Sequence, residues 1–369
     1  MRFALYLNPQ TRGAEDDASV INLVTRMSIE ADRLGFTAVM LTEHHFTGYN
    51  TFSDPFVFGA YLAPQLKQAW IGSSIAVTPL YDPLRFAEHC NLLDQLSGGR
   101  AIIGVGPGGS PIEFAGFGRD HRAARALTEE ILTIAQQAWR HEYGAPPLEF
   151  ETAFMKGRLD GRIMPASVRQ PQPLLARACV SDQSVVTSAE RGWPIFMGRF
   201  APERTGHQWQ LYRETLSAAG HSPSILQECL HWSAALKMIY VAETDSQAWA
   251  EVQEPIMNYL QAAWVANSAD SLEAEISRTS DGRVVYATSV SPESRQALVE
   301  RAMIVGSPET VASTLREYAA VGVEHMMLWF VWGYNTPARV WRSFELFNQE
   351  VRPRLVDPVS VDPASTAVA

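Results

Sequence analysis

The feature that most constrains this chain is an alternation that starts at its first residues. Short, almost wholly apolar runs are each followed by a segment of helical spacing, and the unit recurs about every 30–35 residues. Arg2–Leu7 reads as a strand. Val20, Leu23, Val24, Met27, Ala31 and Leu34 then recur at helical spacing up to Gly35, which supplies a C-terminal stop. Phe36–Leu41 (FTAVML) lacks polar alternation, as expected of a strand covered on both faces in a parallel sheet. Further strands are expected at Ile71–Thr78, Ala101–Val105, Leu174–Ala178, Pro194–Met197, Trp232–Val241 and His325–Val331. Helices are expected between them, one after Asp54-Pro55 and one opened by the cap signature Asp82-Pro83.

Eight such units fit a closed barrel or a doubly wound open sheet. The placement of unusual residues decides between them. Thr42–His45, Gly106–Ser110, Val180–Ser184, Gly198–Phe200 and Trp332–Asn335 all follow the C-terminal ends of expected strands. A barrel gathers those ends on one face, where its active sites lie, whereas an open sheet scatters them along an edge. The expectation is an α/β protein, a (β/α)8 TIM barrel with long loop insertions at the C-terminal face. It spans residues 1–352 as a single domain, and a disordered tail follows over 353–369.

Composition removes other classes. With 46% hydrophobic and 19% charged residues the chain can build a large core. Thirty Lys+Arg against forty Asp+Glu, a net charge of −10, argue against nucleic acid or an anionic membrane as partner. No apolar run reaches the ~18 residues of a membrane span, and the N-terminus reads as a strand rather than a signal peptide. Cys90, Cys179 and Cys229 are far apart with no CxxC, so neither a disulfide framework nor a zinc ribbon is expected, and a reducing cytoplasm is. Two stretches break the rhythm: Gly144–Pro173, with five prolines, and the polar Asn267–Pro292. Each is a lid over a site or a plain surface insertion.

Five constellations could carry chemistry. Thr42-Glu43-His44-His45-Phe46 follows the second strand. Adjacent histidines cannot share a helix face, so this is not the HExxH zinc arrangement. A strand-end His44 can act as acid or base, or hold a polar cofactor group, or be a hydrogen-bonded structural residue. Gly104-Val-Gly106-Pro-Gly108-Gly109 satisfies GxGxxG, but the acidic residue a dinucleotide site needs about 20 positions on falls inside a helical pattern. What survives is a strand end that lets a flat or anionic ligand approach the backbone. Ser181-Asp-Gln-Ser184 opens a short helix, where hydroxyls and free amides bind phosphate or cap the helix. Gly72-Ser-Ser-Ile75 places three small residues in one strand, a packing adjustment or a site of close approach. Trp329, Phe330, Trp332 and Tyr334, with Phe46, Tyr49 and Phe52, wall a pocket or fill core.

Together these segments resemble the bacterial luciferase-like flavin monooxygenases, in collinear order over about residues 1–352. The most specific parts are GFTAVMLTEHHF (Gly35–Phe46), DPLRFAEHCNLLDQLSGGR (Asp82–Arg100) with the Gly-rich strand end after it, Ser181-x-x-Ser184, and VGSPETV (Val305–Val311). The resemblance implies FMN, used as FMNH2, at the C-terminal face of the barrel. It implies His44 beside the isoalloxazine as the catalytic residue, with Glu43 as its supporting partner. Ser74-Ile75 resembles the family's non-prolyl cis peptide beneath the ring, and Gly106 lies near the flavin's reactive edge. Val180, Ser181 and Ser184 match positions around the phosphate, and Asn267–Pro292 looks like the family's lid. At Pro107 the luciferase catalytic chain carries a phosphate-binding arginine. The phosphate is then left to amides, to the serines, or to a cation such as Arg177 or Arg199, and luminescence is not expected.

The implied activity is two-component monooxygenation through a flavin C4a hydroperoxide, by hydroxylation, epoxidation or Baeyer–Villiger insertion, on an apolar small molecule. The implied partners are O2, an NAD(P)H:flavin reductase and a second copy of the chain in a homodimer. The alternatives on the same barrel are an F420-dependent oxidoreductase and a non-catalytic flavin-binding protein.

Overall fold

The computed structural model describes residues 1–267, 276–278, 284–286 and 292–355. The expected Asn267–Pro292 lid and most of the tail lie outside the described residues. Eight parallel strands form the centre: β1 (Arg2–Leu7), β2 (Ala38–Leu41), β3 (Trp70–Val77), β4 (Ala101–Gly106), β5 (Leu174–Cys179), β6 (Ile195–Met197), β7 (Ala234–Val241) and β8 (His325–Trp329). Each pairs with the next, and β8 pairs with β1 from Arg2 opposite His325 to Tyr6 opposite Trp329, so the sheet closes. The fold is a (β/α)8 barrel. A further strand, Met303–Gly306, runs parallel to the end of β7 with Val241 opposite Gly306.

Alternation along the strands sorts side chains into two cores. Ala4, Tyr6, Ala38, Met40, Ile102, Ala176, Phe196, Met238 and Met327 point inward and fill the barrel. Phe3, Leu5, Leu7, Val39, Leu41, Ile103, Val105, Leu175 and Ile239 point outward into the annulus beneath the helices. None of the eight barrel strands has a solvent face, which is why the runs read as continuously apolar. Helix starts repeat one device, a cap side chain followed by proline. Asp54 accepts from the amides of Phe56 and Val57, and Asp82 from those of Leu84 and Arg85. Ser222, Ser307 and Thr336 do the same at Pro223–Trp232, Pro308–Ala320 and Pro337–Leu346.

The Gly144–Pro173 stretch is a surface insertion. It carries a short antiparallel hairpin, Leu148–Glu151 with Lys156–Leu159, and leads from a helix end into the start of β5. Its far part is tied to helix Pro83–Leu96 by Asn91 Nδ2 donating to Pro165 O (2.8 Å) and Ser167 Oγ to Asp94 (2.5 Å). Val168 lies against Gly99, just before β4 begins. That is the end of the barrel opposite the strands' C-termini. Cys90, Cys179 and Cys229 are free and buried, and no helix among the described residues is long and apolar enough to cross a membrane.

Candidate active site

A cavity of about 410 Å3 opens at the C-terminal mouth of the barrel. Its lining includes Glu43 and His44 after β2, Ser74 and Ile75 in β3, Gly108 after β4, Val180 after β5, and Arg199 and Phe200 after β6. Five of the nine residues singled out from sequence therefore meet there: Glu43, His44, Ser74, Ile75 and Val180. Gly106, Pro107, Ser181 and Ser184 are not part of this lining.

The β3–β4 edge is built by close approach. The Ser74–Ile75 peptide is cis, and the pairing of β3 with β4 shifts register between Ser73 and Ala76. A Cβ on Gly72 would lie 1.7 Å from Ile102 O, and one on Gly104 would lie 2.4 Å from Ser73 O, so neither strand tolerates a side chain there. A Cβ on Gly106 would come within 2.4 Å of Ile75 Cδ1. Gly108 takes φ +69°, a left-handed conformation that favours glycine. The glycine-rich strand end thus keeps bare backbone beside Ile75, a surface on which a flat ring can lie. Pro107 sits between these glycines and brings no amide.

His44 is held by a carboxylate, and that carboxylate is Glu113. Its Nδ1 lies 2.9 Å from Glu113 Oε1, which also accepts from the amide of His45 at 3.1 Å. Glu113 is buried on the short helix Pro111–Gly116, which Ser110 caps, and its Oε2 has no partner among the described residues. Because a carboxylate accepts, the His44 proton belongs on Nδ1, and Nε2 is left for the cavity. Tyr49 packs edge-on against the His44 ring, centroids 4.7 Å apart.

Glu43 faces other groups. Its Oε1 pairs with His45 Nε2 at 3.0 Å, and its Oε2 accepts from Val77 N (2.7 Å) and Tyr81 OH (2.9 Å). Burial raises its carboxyl above the usual range, and the contacts with His45, Val77 and Tyr81 work against that rise. It acts as a knot between β2 and β3.

Ser181 and Ser184 form a reciprocal capping box on helix Asp182–Glu190: Ser184 N donates to Ser181 Oγ (3.3 Å) and Ser181 N to Ser184 Oγ (3.2 Å). Of the two candidate cations, Arg177 is engaged by Glu129 at 2.7 Å. Arg199 enters the cavity wall, where its Nη1 donates to Tyr259 OH and approaches Met238 Sδ at 3.4 Å. Of the seven aromatics, Tyr49 stands behind His44, and Trp329 stands behind the lining residue Tyr6 at 5.4 Å. Phe330 turns outward onto Phe344 and Phe347, Phe52 stacks on Phe58, and Phe46 is exposed.

Sequence reasoning missed Glu113, Arg199's tyrosine partners and the buried Lys237. Glu113 lies 69 positions from His44, and its only local mark is the Ser110-Pro111 helix start. Lys237 points outward from β7, and its Nζ donates to Phe200 O and, at 2.7 Å, to Arg301 O. Burial, with Arg199 and Arg301 nearby, lowers this ammonium to about 7.

A barrel with its cavity at the strands' C-terminal ends is the enzyme form of this fold. The chain belongs to the luciferase-like monooxygenase family, whose model matches residues 1–325. It is 27% identical over 368 residues to 4-hydroxyprotoasukamycin monooxygenase of Streptomyces nodosus subsp. asukaensis, covering 95% of this chain and 91% of that one. Among solved structures it is similar to monooxygenase RslO1 from Streptomyces bottropensis (TM-score 0.79, 22% identity, 96% and 100% of the two chains). It is also similar to the oxygenating constituent of 3,6-diketocamphane monooxygenase of Pseudomonas putida, a type II Baeyer–Villiger enzyme in complex with FMN (TM-score 0.74, 21% identity, 96% and 99%).

Proposed function

We propose that this chain is the oxygenase of a two-component system that takes FMNH2 from a separate NAD(P)H:flavin reductase and oxidises an organic molecule with an apolar body. The observation that carries this reading is the His44–Glu113 pair facing a cavity beside the bare end of β4. The residues present fit a flavin. Ser74, Ile75 and the Gly106–Gly108 backbone would bear the ring, and the amides opening helix Asp182–Glu190, with Val180, Ser181 and Ser184, would receive the phosphate. Pro107 adds no charge there, so phosphate binding would rest on helix amides and hydroxyls. Bound reduced flavin supplies the two electrons with which O2 is split between product and water.

The chain's own residues have three tasks. Glu113 keeps the His44 proton on Nδ1 and the ring in place. His44 Nε2 then takes or returns a proton at the cavity. Phe196, Met197, Leu236 and Met327 line the cavity with apolar surface and keep water from the reacting oxygen.

The relative described as an oxygenating constituent supports a separate reductase. A homodimer in the cytoplasm completes the proposal. An exposed apolar strip on helices Pro55–Leu62 and Pro83–Leu96, formed by Val57, Tyr61, Leu92 and Leu96, offers a face for the second copy.

Stopped-flow mixing of the protein and FMNH2 with O2 tests the function. A transient absorbing species distinct from oxidised and reduced flavin, living longer than in free solution, is expected. Its absence, with tight F420 binding, would replace the reading by hydride transfer on the same barrel.

A further inference from the structure

The charge inside the cavity runs against the charge of the chain. The chain carries a net −10, yet the fixed charges on the lining are Arg199, Arg301 and Glu43. Glu43 neutralises neither arginine, because both its oxygens are taken by His45, Val77 and Tyr81.

Arg199 differs from the part-buried arginines that hold a carboxylate, and also from Arg2, Arg100 and Arg352, which donate to backbone carbonyls and do not line the cavity. Arg177 and Arg191 share Glu129, Arg169 holds Glu228, and Arg342 holds Glu251. Arg199 meets no carboxylate among the described residues. Its guanidinium spends Nη1 on the Tyr259 hydroxyl and lies 5.4 Å from the Tyr259 ring centroid and 5.7 Å from that of Trp329. Nε and Nη2 have no protein acceptor among the described residues, and Arg199 is part of the cavity lining. Burial keeps the Tyr6 and Tyr49 hydroxyls neutral by raising them above their ordinary range, so neither supplies a counter-charge. A guanidinium removed from bulk water without an anion is costly, and the cost falls when a ligand brings one.

The position identifies which ligand. Tyr49 OH donates to Tyr259 OH at 2.9 Å, and the Tyr49 ring packs on His44. Arg199 is therefore joined to the His44 wall through two tyrosines. The Ser181–Ser184 helix start lies after β5, and its own nearby cation, Arg204, is paired with Asp182. Lys237 holds the Phe200 and Arg301 carbonyls and so fixes the backbone next to Arg199.

We propose that Arg199 is the recognition point for an anionic oxygen, as in a carboxylate or an ionised phenol, on the apolar substrate. This rests on the monooxygenase reading and names the substrate class of the same site.

Isothermal titration of the FMN-loaded protein tests it, with benzoate against benzamide and 4-nitrophenolate against 4-nitroanisole. The wild type should bind at least one anion about tenfold more tightly than its neutral counterpart. Arg199→Gln should lose that preference, and Arg199→Lys should retain part of it. A wild type without preference for either anion, or a preference that survives in Arg199→Gln, overturns the proposal. So does loss of FMN binding in Arg199→Gln, which would assign the guanidinium to the cofactor. If Arg199→Gln fails to fold by circular dichroism, wild type and Arg199→Lys decide: no preference in either overturns it. Stopped-flow mixing of the wild type with FMNH2 and O2 separates the two readings. A transient there together with failed anion binding rejects Arg199 alone.

Discussion

Glu113 and Glu43 are both buried carboxylates within reach of the His44-His45 pair, and they make opposite predictions. Glu113→Gln removes the charge that fixes the His44 proton on Nδ1 while keeping an acceptor in place. Turnover with FMNH2 should fall at least about tenfold, a part of the roughly 10²–10⁴ that general acid–base help supplies. The melting temperature should change little, and a coupled assay beside a thermal melt reads both. Glu43→Gln confronts three donors with a single carbonyl oxygen and should cost about 1–3 kcal/mol of stability, measured by urea unfolding. The sequence pointed to Glu43 because it is adjacent to His44. Adjacency along a strand end turns neighbouring side chains in different directions, so the partner came from a helix after β4, and only the closed barrel brings that helix across.

Between β3 and β4 the small residues were legible as a sign of close approach, but not the atom approached. Ile102 O is 1.7 Å from a Cβ built on Gly72, and backbone cannot step aside. Gly72→Ala should therefore cost about 3 kcal/mol or more, or abolish soluble expression. Gly106→Ala meets only the tip of Ile75, which can turn, so it should fold, lose about 1–3 kcal/mol by thermal melt and bind FMN more weakly by titration. The eight strands were readable because burial on both faces leaves an unbroken apolar run. Helix Pro223–Trp232 and strand Met303–Gly306 were not, since each falls outside the repeating unit: the first follows another helix directly and the second is a ninth parallel strand beside β7. Ser222-Pro223, which opens that helix, and Ser307-Pro308, which follows that strand, were the local signs available.

At the scale of the whole molecule, loss of stability in acid has an identifiable source at the end of the barrel away from the cavity. Burial, with the charges of Arg2 and His231, lowers His325 to about 3, while Thr37 Oγ1 lies 2.7 Å from its Nε2. In the unfolded chain this imidazole gains its proton near 6.5. Between about pH 6.5 and 3 the unfolded state binds more protons, so stability falls as pH falls, by up to about 1.4 kcal/mol per pH unit. His325→Gln should flatten that limb of the stability profile in urea titrations at pH 7 and 4.5. The proposed homodimer is tested by placing two negative charges on the Val57–Leu96 strip: Tyr61→Glu with Leu92→Glu should move the sedimentation of the chain from that of a dimer to that of a monomer. The path of the chain around β7 carries a different consequence. It leaves that strand at Val241 and returns at Gly306 directly opposite, with Ala242 N bonded to Gly306 O at 3.1 Å. The excursion between them brings Tyr259 to Arg199, yet starts and finishes at one point on the barrel. Because both ends meet at one point, a change in the length of that excursion would leave the strands on either side of it where they are.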